Sequence, residues 1–424
     1  MPLVFDPRSG GTGSRPKYLL VLAGGGLAAL LLAVDPVARR RALGRANPLR
    51  WPVAALVGWA AVSAAASGHR ATALSGFPGN YDGLWATVAL ATIFLAAVAA
   101  FAARTRPLAA IRVLWFGVGT VVLAFGAAQL VDRVFFPRGW DWARPSVSPS
   151  TIGSTLGNPN HLASLLAILL PLGVVVAVAG DRRTRLAVAL GGGLLVAELA
   201  VTASRGGWAA AAAGLAVLVV LFRGEVRGRV RSAVLGGMVA ALTLALLATV
   251  ALARTGVVKR SPGSLLKAGP GSTVDLRLEV WAAAWRVAAD HPIVGVGPDV
   301  FPVVFPAYET ERFRWRFGPF AVANGAHNLF LNTLANLGAG GLAALLAVIG
   351  VAGWCVRRAW RRLPPGENRL LLGGVTAALV AYLVQGSFNT QETSLSLCAW
   401  VLLGLAVALA ADITVADAEQ PQGR

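Results

Sequence analysis

"NHLASLLAILLPLGVVVAVA", residues 160–179, runs for twenty residues without an Asp, Glu, Lys or Arg. As a helix it would rise about 30 Å, the thickness of a bilayer's hydrocarbon core. Similar apolar runs recur at 17–34, 51–67, 84–103, 110–131, 186–203, 207–222, 232–253, 329–353, 370–388 and 394–411. Together they make about eleven expected spans (ten to twelve) over 424 residues. The chain is 56% hydrophobic and 13% charged, whereas a soluble domain carries about a quarter charged residues. Inside lipid each backbone N–H and C=O must find its partner within the protein, and helix-length runs do so as helices. The expected fold is therefore all-α, a polytopic helical membrane protein.

The formal charge is +19, from 38 Lys+Arg against 19 Asp+Glu. Nucleic acid is not the expected partner. Most arginines sit in short loops such as "RRRALGRANPLR" (39–50), "RTRP" (104–107), "DRRTR" (181–185), "RGEVRGRVR" (223–231) and "RRAWRRLPPGENR" (357–369). If the spans alternate, these loops share one face, and the positive-inside rule makes that face cytoplasmic. The N-terminus, the loops 67–83 and 132–158, the turn at Ser204, the segment 254–328 and "QGSFNTQETS" then lie outside. The expected organisation is N-terminal spans over 1–253, a large external loop over 254–328, C-terminal spans over 329–412 and a cytoplasmic tail over 413–424. The N-terminus lacks the pattern of a signal peptide. Cys355 and Cys398 lie in or beside apolar runs and form no disulfide framework.

The 254–328 segment is too long for an idle connection. "KRSPGSLLKAGPGS" reads as flexible. "TVDLRLEVWAAAWRVAADHP" reads as an amphipathic helix with Leu276, Val280 and Ala284 on one side, and "HPIVGVGPDVF" as a tight turn. Phe301, Phe305, Tyr308, Phe313, Trp315 and Phe317 form an aromatic patch, expected at the lipid headgroups or stacked on sugars.

A few polar residues need a reason for their place. Arg205, in "TASRGGW", lies between two apolar runs. It either snorkels to water at a helix end or forms an anion site, with Gly206 and Gly207 permitting close approach. Arg277 lies on the amphipathic helix beside Asp275 and Glu279, as a solvated ion-paired group or as an anion ligand. Its planar fork of donors suits a diphosphate. Arg286, nine residues on, is too far round the helix to share its face. Asn158, Pro159 and Asn160 look like a capped helix start, and His161 follows them. His327, in "NGAHNLFLNT" (324–333), is either a structural histidine or a general base, since imidazole titrates near neutrality. The chain shows no metal-ligand spacing, no HExxH and no phosphate-binding loop. No metal or other cofactor is expected, and the energy for a reaction would arrive in the substrate.

In order, "GNPNHLA", "TASRGGW", "DLRLEVWAAAWRVAADHPIVGVGPDVF" and "AHNLFLNTLANLGAGGLAALL" resemble the O-antigen ligase and polymerase superfamily. The likeness covers roughly 75–410, from "FPGNYDGL" to "FNTQETSLSLCAWVLLGLA". It implies a GT-C-like membrane glycosyltransferase at the cytoplasmic membrane. Such an enzyme transfers a glycan en bloc from undecaprenyl diphosphate to an acceptor hydroxyl on the extracytoplasmic face, inverting and without metal. By the same resemblance Arg205 and Arg277 bind the diphosphate and His327 is the catalytic base. Asn328, Asn158 and Arg286 are candidate supports. The partners implied are the lipid-linked glycan, a glycan, lipid or protein acceptor, and the bilayer. A polymerase of lipid-linked repeat units is the nearest alternative. A small-solute transporter, from another class, should show repeated halves and mid-span ionisable groups; no repeat is evident, and Glu198 is the one acid well inside an apolar run.

Overall fold

The computed structural model describes residues 14–103, 107–135, 153–223, 273–318, 321–390 and 392–419. Among them every regular element is helical. In chain order these are α1 (Ser14–Val34), α2 (Pro36–Leu43), α3 (Arg50–Ala66), α4 (Arg70–Ser75), α5 (Leu84–Ala102), α6 (Pro107–Phe135), α7 (Pro159–Ala179) and α8 (Arg182–Val201). They continue with α9 (Arg205–Phe222), α10 (Thr273–Asp290), α11 (Phe301–Tyr308), α12 (Glu311–Phe317), α13 (Leu329–Arg362), α14 (Glu367–Gly386) and α15 (Thr393–Glu419). Nine of the described helices, α1, α5 to α9 and α13 to α15, are long and apolar enough to cross a membrane. The chain is a multi-pass membrane protein. Of the other expected spans, 51–67 is α3, whose 17 residues sit at the short end of the spanning range. The span at 232–253 and the stretch "KRSPGSLLKAGPGS" lie outside the described residues.

The chain divides into two compact units. The first holds 1–16, 105–267 and 364–385. Its centre is α7, where Leu162, Leu165, Leu166, Ile168, Leu169 and Leu172 are all buried. A helix apolar all round has no solvent face, so neighbours cover it; α8 and α9 pack on it. Gly207 lies against Ala163, Gly214 against Ala377 and Gly374 against Val175, the small-residue contacts that let helices in lipid come close. The expected helix start is present: Asn158 caps α7, its Oδ1 accepting from Asn160 N at 2.8 Å, with Pro159 in the first turn.

The second unit holds 17–104, 268–363 and 386–424. Its main irregularity is in α13, where Gly338 has φ +65° and ψ −169°. This breaks the helix and frees carbonyls. The predicted turn at "HPIVGVGP" supplies some of the backbone partners. Val296 N and Gly297 N donate to Ala335 O and Asn336 O at 3.2 and 2.9 Å, and Ala339 N donates to Pro292 O at 2.8 Å. Helix α3 supplies others: Trp59 Nε1 donates to Leu337 O at 2.8 Å, and Ser63 Oγ reaches both Val294 O and Asn336 O. Buried backbone polar groups need such partners.

Helix α10 is amphipathic as expected. Val280, Ala283, Ala284 and Val287 face a core that includes Phe301, Phe305 and Phe313. Those three rings meet edge to face, at 5.7 and 4.9 Å between successive centroids. The expected aromatic patch therefore separates. Its phenylalanines at 301, 305 and 313 are interior, and only Trp315, 91% exposed, stands fully on the surface.

Candidate functional site

His327 lies in the second unit, where the chain turns into α13. Its φ is +50°, a left-handed conformation uncommon for a side-chain-bearing residue. Neighbouring bonds hold it there. Asn328 caps α13, its Oδ1 accepting from Phe330 N and Leu331 N at 3.0 Å each. Asn332 Oδ1 accepts from Ala326 N at 3.0 Å, and Asn80 Nδ2 donates to Asn324 O.

The segment between α14 and α15 closes on this loop. Thr390 Oγ1 is 2.9 Å from His327 Nδ1. Asn389 Oδ1 accepts from Arg277 Nη2 at 2.7 Å. Ser387 O accepts from Asn328 Nδ2 at 3.1 Å. Consecutive residues, Asn389 and Thr390, thus hold Arg277 and His327, which are fifty positions apart in the chain. Asp275 and Glu279, the acids beside Arg277, pair with Arg312 at 3.1 and 3.3 Å, and Asp275 also pairs with Arg316.

A second polar knot lies behind the loop. The stretch "FPGNYDG" (77–83) winds round the Asp299 carboxylate, which accepts from Phe77 N at 2.7 Å, Asn80 Nδ2 at 3.0 Å and Asp82 N at 3.1 Å. Because Asn80 also holds Asn324 O, Asp299 is tied to the loop of His327 through one side chain. Burial pushes the Asp299 carboxyl up to about 6, against the lowering effect of its three donors. Burial first, and the neighbouring Asp299 second, push Asp82 well above the usual carboxylate range. Two carboxyls this close do not both ionise readily, and Asp299, with three N–H donors, is the better placed to carry the charge. Thr393 Oγ1 lies 3.1 Å from Asp82 Oδ1. Nearby in the chain, Glu392 makes a buried ion pair with Lys17 at 3.3 Å.

The remaining expected residues fall elsewhere. Arg205 belongs to the first unit and is the first residue of α9, with Ser204 as the cap. Ser204 Oγ donates to Asn160 Oδ1 at 2.9 Å, and Gln385 Nε2 donates to Asn160 O at 3.0 Å. A helix N-terminus favours negative charge. Asn158 in the same unit caps α7. Asn328 spends its side chain on the cap and Ser387. Arg286 is exposed and donates to Ala282 O within its own helix, half a turn round from Arg277. Among the described residues, no group of three or more His, Cys, Asp or Glu could hold a metal ion.

Sequence reasoning did not single out Asn389, Thr390, Asn80 or Asp299. The available signal was polarity without need: "SFNTQET" is longer and more polar than a turn between two spans requires.

Residues 190–346 match the family model described as O-antigen ligase. That span contains Arg205, Arg277 and His327. The match supports a membrane glycosyltransferase of O-antigen ligase or polymerase type. No curated protein matches the chain.

Proposed function

We infer the function from the match of residues 190–346 to the O-antigen ligase family, which supports membership of the O-antigen ligase and polymerase superfamily. The protein transfers a glycan en bloc from undecaprenyl diphosphate to an acceptor hydroxyl, on the extracytoplasmic face of the cytoplasmic membrane. The observation that carries this reading is the pair of bonds from consecutive residues, Asn389 to Arg277 and Thr390 to His327. A base and a cation are thereby held in one neighbourhood of the second unit.

With Nδ1 engaged by Thr390, Nε2 of His327 takes the proton of the acceptor hydroxyl. The acceptor oxygen attacks the anomeric carbon, the bond from that carbon to the diphosphate oxygen breaks, and the configuration inverts. Arg277 neutralises charge growing on the departing diphosphate, an electrostatic contribution that is often the largest in catalysis. Arg205, in the other unit, is proposed for diphosphate binding on the strength of the resemblance and its place at a helix N-terminus. Arginines do the charge work here, so the reaction is read as metal-independent.

The test is a transfer assay with purified protein, an undecaprenyl-diphosphate glycan and separate candidate acceptors, with and without chelator. Product with an inverted anomeric centre, undiminished by chelator, is expected. Absence of transfer from any polyprenyl-diphosphate donor would overturn the reading, and loss of activity on chelation would overturn its metal-free form. A lipid-linked glycan as the sole productive acceptor would make the enzyme a polymerase rather than a ligase.

A further inference from the structure

Two buried donors, one on Asn389 and one on the Arg277 face of α10, have no hydrogen-bond partner among the described residues. Asn389 is 4% exposed, and its Nδ2 has no hydrogen-bond partner among the described residues. The orientation of this amide is fixed by its neighbour. A guanidinium only donates, so Oδ1 must be the atom facing Arg277 and Nδ2 the atom left over. Trp281 Nε1 is likewise buried and without a partner. Trp281 follows Arg277 by four residues on α10 and shares its face.

An unmet buried donor is costly, and native proteins rarely keep one without reason. One sits on the side chain that holds the guanidinium and the other on the helix face that Arg277 shares, which makes a set of donors. The neighbouring acids do not turn it into a mixed site: Asp275 is paired with Arg312 and Arg316, and Glu279 with Arg312 and Thr310 Oγ1. A site rich in N–H donors selects a ligand rich in acceptors, and an oxyanion is the group that meets several at once.

We propose that Asn389 Nδ2 and Trp281 Nε1 are ligand-binding donors that join Arg277 in holding the diphosphate oxygens of the lipid-linked substrate. This rests on the diphosphate-donor reading above and adds two residues to it. Asn389 has a double part: its oxygen aims the guanidinium and its nitrogen binds the anion. The segment that positions His327 through Thr390 thus also touches the leaving group through the adjacent side chain.

The test is binding of farnesyl diphosphate, inorganic pyrophosphate and farnesol to the full chain in detergent, for wild type, Arg277→Lys, Trp281→Phe and Asn389→Asp. Trp281→Phe keeps an aromatic ring and removes the N–H. Asn389→Asp keeps the shape and replaces both donors by an acceptor. Trp281→Phe should raise the Kd for farnesyl diphosphate about tenfold, the worth of one hydrogen bond to a charged group. Asn389→Asp should raise it more, because it also sets a negative charge against the anion, and both should leave farnesol binding unchanged. A 15N indole resonance missing in Trp281→Phe should shift when wild type takes up farnesyl diphosphate. Weakened binding of pyrophosphate in parallel would trace the effect to the phosphates, whereas loss confined to the farnesyl ligand would overturn the proposal. Wild-type affinity in both variants, with Arg277→Lys weakened, would overturn the proposal and leave the proposed function standing. Wild type failing to bind farnesyl diphosphate, or binding it as Arg277→Lys does, would overturn both. Equal loss of farnesol binding in the two variants would mark general damage and also overturn the proposal.

Discussion

Thr390 Oγ1 lies 2.9 Å from Nδ1 of His327. In an imidazole, the hydrogen bond made by one nitrogen decides which proton the other carries. The proposed mechanism needs Nε2 as the basic atom, and in it Thr390 Oγ1 accepts from Nδ1–H and holds that tautomer.

Thr390→Val, close in shape but without the hydroxyl, should therefore lower kcat about tenfold with little change in KM. Thr390→Ser should restore most of it. The acid limb of the pH–rate profile should also move in Thr390→Val, which a merely structural role would not require. Steady-state kinetics of the three proteins across pH checks this.

The Asp82–Asp299 pair gives the fold a pH dependence with a definite sign. A carboxyl that ionises less readily when folded stabilises the fold only while protonated. Its contribution is complete below about pH 4, the unfolded value. It is lost as pH rises through about 6 for Asp299, and Asp82, also held well above the usual carboxylate range, adds a loss of the same sign. The melting midpoint in detergent should fall as pH increases over this range. Asp82→Asn, which mimics the protonated acid, should flatten the dependence. Asp299→Asn should destabilise by about 2–3 kcal/mol, because an amide N–H₂ would then face the donors of Phe77 and Asp82.

Gly338 makes the break in α13 possible. A Cβ there would run into the backbone at Ile293, and φ +65° would be strained for any other residue. Gly338→Ala should cost at least about 2 kcal/mol, seen as a lower melting midpoint. Gly350→Ala in the same helix, where a Cβ meets open space, should be near neutral.

The membrane architecture was legible because transfer into lipid leaves a strong mark on composition. Runs such as 160–179 read the same in sequence and in structure. The amphipathic α10 was legible too, through Leu276, Val280 and Ala284. The break at Gly338 was not, because "LGAGGLAALL" reads equally well as a continuous small-residue helix and nothing local specifies a positive φ. Asn389 and Thr390 were hidden for another reason. Their partners are 112 and 63 positions away, and a polar loop has no periodicity to show which way a side chain turns. Phe301, Phe305 and Phe313 looked like surface aromatics because the spacing of two short helices, α11 and α12, offers no full amphipathic period.

The most direct measurement is glycan transfer from an undecaprenyl-diphosphate donor by purified wild type and His327→Ala, each verified as folded by its melting midpoint. Wild type should transfer, and His327→Ala should lose at least about a hundredfold in kcat, the lower bound for removing a general base. Wild-type turnover in His327→Ala would contradict a base at that position and the mechanism built on it.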